Sequence, residues 1–205
     1  MIDMKKFFIS MLCLMMAGMA SAVEMPAERH SLELSFGDPM PLIMVGMFYK
    51  CGCGPAEYLE APEPSERHGF ALPTFNLSYH YAALPWLEVG ATAGATAKLT
   101  RYYRRAPMNT VEEVLFGSRH TYLMGDLRFT FLRNERAALY SGIGLGIDFD
   151  YRDVDHEPLG TRKLTVLPAA QLTALGWQVG RKVYWTGEIG FGQKGFFNTG
   201  VGVRL

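Results

Sequence analysis

Residues 137–151 read AALYSGIGLGIDFDY, a stretch in which apolar residues alternate with small or charged ones. The apolar positions are Leu139, Ile143, Leu145, Ile147 and Phe149, and those between them are Tyr140, Gly142, Gly144, Gly146, Asp148 and Asp150. Successive side chains of a β-strand point to opposite faces. The stretch therefore predicts a strand with one apolar face and one face of glycine, tyrosine and aspartate.

The same period-2 alternation recurs along the chain and predicts eight strands. Their approximate bounds are 30–37, 70–82, 86–103, 120–132, 137–152, 163–178, 182–192 and 195–205. Several approach or exceed the roughly 9–11 residues of a tilted transmembrane strand, whereas strands of soluble proteins have about 5–6. The face of each strand opposite its apolar face combines charged residues with glycine, which suits a narrow barrel interior. We predict an all-β fold, a closed eight-stranded antiparallel transmembrane up-and-down β-barrel.

The connections between these strands differ in length on the two sides of the predicted barrel. The links AALPW, LRNER and VGRK are short, and so is the last hairpin, GQKG. Long loops are predicted at about 38–69, 104–119 and 153–162. Short turns at one end and long loops at the other are typical of outer-membrane barrels.

The N-terminus has the pattern of a secretory signal peptide. Lys5 and Lys6 precede an apolar segment, and Ala20, Ser21 and Ala22 form an A-x-A cleavage site. We predict cleavage before Val23, which leaves residues 23–205 as the barrel domain after a signal peptide of residues 1–22. A membrane anchor is less well supported because the apolar segment is short and ends in small residues.

Charge and cysteine content exclude some classes of function and leave others open. A net charge of zero gives no indication of nucleic-acid binding. Cys51 and Cys53 could form a strained disulfide, remain free or pair with a partner thiol. With His68, His120 and His156 they could in principle bind a metal, but solvent-exposed loop histidines are the favoured interpretation. We therefore predict no metal and no cofactor.

Two segments fit the strand pattern less well. Pro168 lies inside a predicted strand and indicates a bulge or a local break, because proline lacks the N–H group that a ladder requires. The alternation also slips near Gly176, so that the direction of Trp177 stays open. Residues 39–49 either extend the first strand or form a short helix on the membrane surface, and we favour the helix.

The chain ends with FFNTGVGVRL, residues 196–205, and this ending is similar to the assembly signal of bacterial outer-membrane barrels. The matching positions are a polar residue, a glycine and two apolar residues, namely Asn198, Gly200, Val203 and Leu205. With the signal peptide and the eight alternating runs, the chain resembles the small eight-stranded outer-membrane barrels of Gram-negative bacteria, a group typified by OmpX and the membrane domain of OmpA. Leu205 departs from the family, which usually ends on an aromatic residue.

The resemblance implies a location in the cell outer membrane, assembly by the barrel-assembly machinery, and contact with outer-membrane lipid and lipopolysaccharide. It also implies that the last strand pairs with the first, which leaves no free edge. The chain looks most like members of this group that have no named activity. We expect a monomer.

Charged residues at alternating positions predict an ion-pair network in the barrel interior. These residues are Glu88, Lys98, Asp126, Arg128, Asp148, Glu188 and Arg204. Opposite charges inside a narrow barrel favour a packed, plugged interior over a conducting pore. A small-solute pore remains the alternative.

The remaining candidates concern catalysis and surface binding. Ser78 and His80 lie two apart on one strand face and could act in a lipid-modifying esterase or deacylase, but their predicted inward direction makes an enzyme the less favoured hypothesis. Arg101, Arg104 and Arg105 could meet lipopolysaccharide phosphates or could simply be solvated. We predict a structural protein, or one that engages an extracellular partner through its long loops.

Overall fold

A computed structural model of the protein describes residues 28–39, 67–105, 111–154 and 163–205. The predicted signal peptide with Ala20 and Ala22, the segment 40–49, both mature cysteines and His156 lie outside the described residues. For Lys98 and His68 the structure describes the backbone only.

The described chain forms one antiparallel β-sheet, which closes on itself. Its strands are β1 (His30–Gly37), β2 (Arg67–Ala71), β3 (Thr74–Leu84), β4 (Leu87–Arg105), β5 (Val111–Arg133), β6 (Ala137–Val154), β7 (Lys163–Gly180), β8 (Val183–Gly192) and β9 (Phe197–Arg204). Strands β2 and β3 both pair with β4 and form two parts of one barrel strand, interrupted at Leu72 and Pro73. The barrel therefore has eight strands.

Closure of the barrel depends on two seams. Strand β4 pairs with β5 along its whole length, and β1 pairs with β9 from Ser31↔Arg204 to Gly37↔Asn198. The closed, eight-stranded, antiparallel, all-β fold is thus confirmed, including the pairing of the last strand with the first. No helix in the described ranges is long and apolar enough to cross a bilayer.

The barrel wall is much taller on one side than on the other. Strands β4 to β7 have 18 to 23 residues, whereas β1, β8 and β9 have 8 to 10. Most of the predicted loop 104–119 is strand, with only residues 106–110 between β4 and β5. Ladder hydrogen bonds join backbones whatever the side chains are, so this hairpin continues beyond the clearly alternating stretch.

The irregularity in β7 lies at a different place from the one predicted. The pairing of β7 with β6 runs without a shift through Pro168, and the register shifts between Thr173 and Leu175 instead. The predicted break at Pro168 is therefore wrong. Strand β8 reaches only as far as Gln171, so Pro168 has a described strand partner on one side alone, where a missing N–H group is tolerated. Trp177 points outward, because its neighbours Gly176 and Gln178 are buried.

Burial in this fold is the reverse of that in a water-soluble barrel. Among the described residues, the buried side chains are mostly polar or charged, while leucines, isoleucines, valines and phenylalanines face outward. The pattern alternates strictly along β3, from buried Thr74 and Asn76 to exposed Phe75 and Leu77. The core of the molecule is therefore the polar interior.

Candidate functional site: the polar interior of the barrel

Arg128 of β5 is the centre of the interior. Its two terminal nitrogens donate to the two carboxylate oxygens of Glu33 at 2.7 and 2.6 Å, and Nη2 also donates to Oε1 of Glu188 at 2.9 Å. All three side chains are buried. They come from β5, β1 and β8, so this ion-pair cluster joins strands on different sides of the barrel.

Polar side chains of β6, β7 and β8 complete the surroundings of this cluster. The Tyr140 hydroxyl donates to Glu188 at 2.8 Å, and its ring lies 4.6 Å below the Arg128 guanidinium carbon. The Tyr184 hydroxyl and the Gln178 amide donate to Glu33 at 2.8 and 3.0 Å. Each carboxylate therefore accepts from more than one donor, which offsets the cost of burying its charge.

A second group of interior residues lies around Asp126. Thr92 donates to Asp126 and is itself 2.7 Å from Ser78. The Lys194 ammonium lies 3.6 Å from Asp126 and 3.8 Å from Glu188, and the Lys194 side chain is only 3% exposed. Because Lys194 belongs to the β8–β9 turn, this turn inserts a cation into the interior from the end that carries the long connections.

His120 lies inside the barrel and not in an exposed loop. Its ring nitrogens are 3.2 Å from Asp148 and 3.4 Å from Asp150, and all three side chains are buried. The prediction of a solvent-exposed histidine is wrong: β5 continues through His120, and the alternation that places Asp126 and Arg128 inside the barrel also places His120 inside. No group of three or more histidine, cysteine or acidic side chains in the described part of the chain is arranged to hold a metal.

The short-turn end of the interior has its own polar pairs. Arg133 donates to Glu88 and to the Pro85 carbonyl. Arg204 donates to the carbonyls of Gly180 and Arg181 at 3.1 and 2.6 Å, and its guanidinium lies over the Tyr184 ring. Arg204 Nη2 also donates to the side-chain oxygen of Gln178 at 3.1 Å, so backbone and amide oxygens bind Arg204 at the rim, and no carboxylate of the described residues pairs with it.

The predicted interior residues occupy different parts of this arrangement. The structure buries Glu88, Asp126, Arg128, Asp148 and Glu188 inside the barrel. The backbone of Lys98 pairs with Ser118 and Ala71. Sequence reasoning missed Glu33, Lys194, Asp150, His120, Tyr140 and Tyr184 as members of the network. The alternation in β1 is enough to place Glu33 inside the barrel. Lys194 lies in a turn, where no alternation predicts the direction of its side chain.

Ser78 and His80 both point into the barrel, and no hydrogen bond joins their side chains. The Ser78 hydroxyl is hydrogen-bonded to Thr92, and neither ring nitrogen of His80 has a hydrogen-bond partner in the described structure. Ser–His catalysis uses a base within hydrogen-bond reach of the nucleophile. An esterase assay on folded protein, with Ser78→Ala as its control, is the direct test of the enzyme hypothesis.

Inward-facing glycines, which have no side chain, leave space for the large tyrosine rings of the interior. A Cβ atom at Gly94 would overlap the Tyr122 ring, one at Gly176 the Tyr140 ring, and one at Gly202 the Tyr184 ring. The glycines and the rings stand on neighbouring strands, for example Gly176 opposite Tyr140. This explains why glycine recurs on the inward face of the alternating runs.

No protein-family model matches the chain, and no curated protein matches its sequence significantly. The observations that bear on function are therefore the polar interior of the barrel and its apolar outer surface.

Proposed function

We propose that the protein is an integral β-barrel of the bacterial outer membrane with a plugged polar interior, and that it serves a structural role or presents its long connections to partners at the cell surface. The observation that carries the proposal is the reversed burial of the barrel. Outward side chains on most of the strands are apolar and exposed, for example Leu34 at 58%, Leu77 at 51% and Leu145 at 69%.

A hydrocarbon surrounding explains this distribution better than water does. Soluble monomers rarely expose contiguous apolar patches larger than about 300–600 Å². A bilayer also requires that every backbone polar group in its core be paired within the protein, a requirement that a closed barrel meets. Each strand of the ring is hydrogen-bonded to a neighbour on both sides, including the β1–β9 and β4–β5 pairs, so the described barrel has no open edge near its short turns.

Aromatic side chains near the short turns support the same proposal. Trp86 stacks on Phe129 with ring centroids 6.4 Å apart, and Trp177 contacts Trp185 at 5.7 Å. Tyr79, also near this end, is hydrogen-bonded to His30. Membrane barrels have aromatic residues in belts at the level of the lipid headgroups.

The filled interior favours a plug over a pore. Arg128, Glu33 and Glu188 bridge the barrel interior, and Lys194 adds a further cation above them. An eight-stranded barrel has an interior just wide enough for side chains. We expect vesicles that contain the folded protein to show no swelling in small sugars beyond that of empty vesicles, and rapid swelling would favour the pore alternative.

The placement of the connections supports a role at the cell surface. The connections β1–β2, β4–β5 and β6–β7 lie at one end, and the short turns 85–86, 134–136 and 181–182 at the other. Recognition residues commonly lie on loops held by a rigid scaffold. The proposed contacts of this end are extracellular partners and lipopolysaccharide phosphates. The barrel-assembly machinery is the proposed means by which the protein enters the membrane.

Membrane fractionation with surface proteolysis tests the proposal most directly. We expect the full-length chain expressed in a Gram-negative host to fractionate with the outer membrane. External protease should cut within residues 38–66 of intact cells, and the barrel strands should remain protected. A periplasmic protease-sensitive product that is soluble without detergent would contradict the proposal.

A further inference from the structure

Two neighbouring short turns concentrate positive charge at one side of the barrel end. The turn 134–136 and the turn 181–182 are joined by a hydrogen bond from the Gly180 amide to the Arg136 carbonyl at 2.7 Å. They carry Arg136, Arg181 and Lys182, which we call the basic rim. All three residues are exposed.

The basic rim has more cations than acidic partners. Glu135 is the acidic residue of these two turns, and it lies 3.2 Å from Arg181. That pair is exposed, with side-chain accessibilities of 65% and 83%, so water screens it strongly. Neither Arg136 nor Lys182 has a side-chain partner among the described residues. The rim therefore keeps a net positive charge.

The outer surface next to the basic rim changes in steps from apolar to charged. Trp177 and Trp185 pack edge to face on the outer side of β7 and β8. Val179 and Val183, which are 52% and 69% exposed, lie between these rings and the turn. Lys182 is three residues from Trp185, a distance of roughly 10 Å along a strand. The cations thus lie just beyond an aromatic pair and an apolar surface.

We propose that the basic rim binds the phosphate groups of anionic phospholipids in the leaflet that surrounds the short-turn end. This inference rests on the proposed membrane location. Tryptophan and tyrosine favour the headgroup level of a bilayer, and long cationic side chains extend from there toward phosphates. A soluble acidic partner fits less well, because it would leave the adjoining valines and tryptophans uncovered.

The expected selectivity follows from the charge of the rim. Each lysine or arginine close to an anionic membrane surface strengthens binding to that surface roughly fivefold. Three cations opposed by one exposed acid should therefore enrich anionic lipid near Trp177 and Trp185 by at least about fivefold. Lipid of zwitterionic character should show no such enrichment.

Quenching of tryptophan fluorescence by brominated lipids measures this enrichment at the site. Trp86→Phe in every sample restricts the signal to Trp177 and Trp185, since the chain has three tryptophans. The folded protein is reconstituted in vesicles that mix brominated phosphatidylglycerol with phosphatidylcholine, and in vesicles with the bromine on phosphatidylcholine. The ratio of the two quenching curves gives the relative affinity of the rim for the anionic lipid.

The variants separate the rim from general charge effects. We expect Arg136→Gln, Arg181→Gln and Lys182→Gln together to bring the relative affinity close to one. Glu135→Gln should raise it, because the acid that opposes the cations is removed. Arg119→Gln, which removes an exposed cation near the opposite end of β5, should leave it unchanged.

The outcomes distinguish this inference from the proposed membrane location. Equal quenching by brominated phosphatidylcholine in all variants supports insertion, and its absence in every sample contradicts the membrane proposal itself. A relative affinity that stays high in the triple variant overturns the lipid site. If the unaltered rim has equal affinity for the anionic and the zwitterionic lipid, the lipid site is overturned as well. Binding of soluble polyglutamate would then assign the rim to an acidic soluble partner.

Discussion

Charged residues in the interior are stabilised by several hydrogen bonds each. Glu33 accepts from Arg128, Tyr184 and Gln178, and Glu188 accepts from Arg128 and Tyr140. A buried ion pair gains little over an apolar pair of the same volume, but the loss of one partner leaves a buried charge uncompensated. These residues therefore contribute to stability because each buried charge has hydrogen-bond partners, and the loss of one residue leaves the others without them.

Glu188→Ala tests this at a single residue. It removes an acceptor from Arg128 and Tyr140 and a neighbour from Lys194, so we expect the free energy of unfolding to fall by about 3 kcal/mol. Glu135→Ala is the matched control, since it breaks an exposed Glu–Arg pair. Urea unfolding in lipid vesicles and the heat-modifiability temperature on gels both measure the effect. Equal transitions for the two variants would contradict the ion-pair argument.

The glycines beneath the interior rings allow a second test at the residue scale. Gly176→Ala would place a methyl group against the Tyr140 ring and displace its hydroxyl from Glu188. We expect a loss of about 1–3 kcal/mol, as is usual for overpacking. Gly125→Ala is its control, because a Cβ atom there has its nearest contact at 4.0 Å on the outer surface. A stable Gly176→Ala barrel with unchanged unfolding would show that the interior is loosely packed.

Among the elements, the β8–β9 turn combines several constraints at the end of the short wall. Gly195 has φ of +99°, a conformation that favours glycine, and Gln193, Lys194 and Gly195 are all buried. Asp38, which directly follows β1, accepts the backbone N–H groups of Phe196 and Phe197 at 2.9 and 2.8 Å. The turn that delivers Lys194 is thus held by the first strand.

Asp38→Ala should loosen this turn, because two backbone donors lose their acceptor. We expect faster hydrogen exchange at the amides of Phe196 and Phe197, with little change at the far end of β9, near Val203. Asp38→Asn keeps an acceptor oxygen and should show a smaller increase. Unchanged exchange in Asp38→Ala would mean that the turn is held without Asp38.

The predictability of the elements follows from what alternation encodes. Period 2 predicts which residues share a face, so the strands and the inward direction of Asp126, Arg128 and Asp148 could be derived from the sequence. It does not determine where a ladder ends, and for that reason the β4–β5 hairpin is longer than expected and continues beyond His120, the first residue of the predicted strand. Lys194 could not be found, because its position depends on a turn that folds inward.

At the scale of the whole molecule, the two faces of the sheet have opposite chemistry. Its interior is held by ion pairs and tyrosine hydroxyls, and the exterior of its described part is mostly apolar. Opening such a sheet is unfavourable, because it would expose unpaired strand edges and separate buried charges from their partners. Closure between β1 and β9 is therefore the contact on which the whole arrangement depends.

Disulfide trapping across this seam tests the closure and its register. Leu34 and Val201 are paired residues on the outer face of β1 and β9. With Cys51→Ser and Cys53→Ser in the background, Leu34→Cys combined with Val201→Cys should form a cross-link on mild oxidation of the folded protein. Leu34→Cys combined with Val203→Cys is the control, since Val203 pairs with Leu32. The shifted pair lies about 7–8 Å apart between Cα atoms, beyond the usual span of a disulfide. Efficient cross-linking of the shifted pair, or none of the matched pair, would contradict the register and with it the closed barrel.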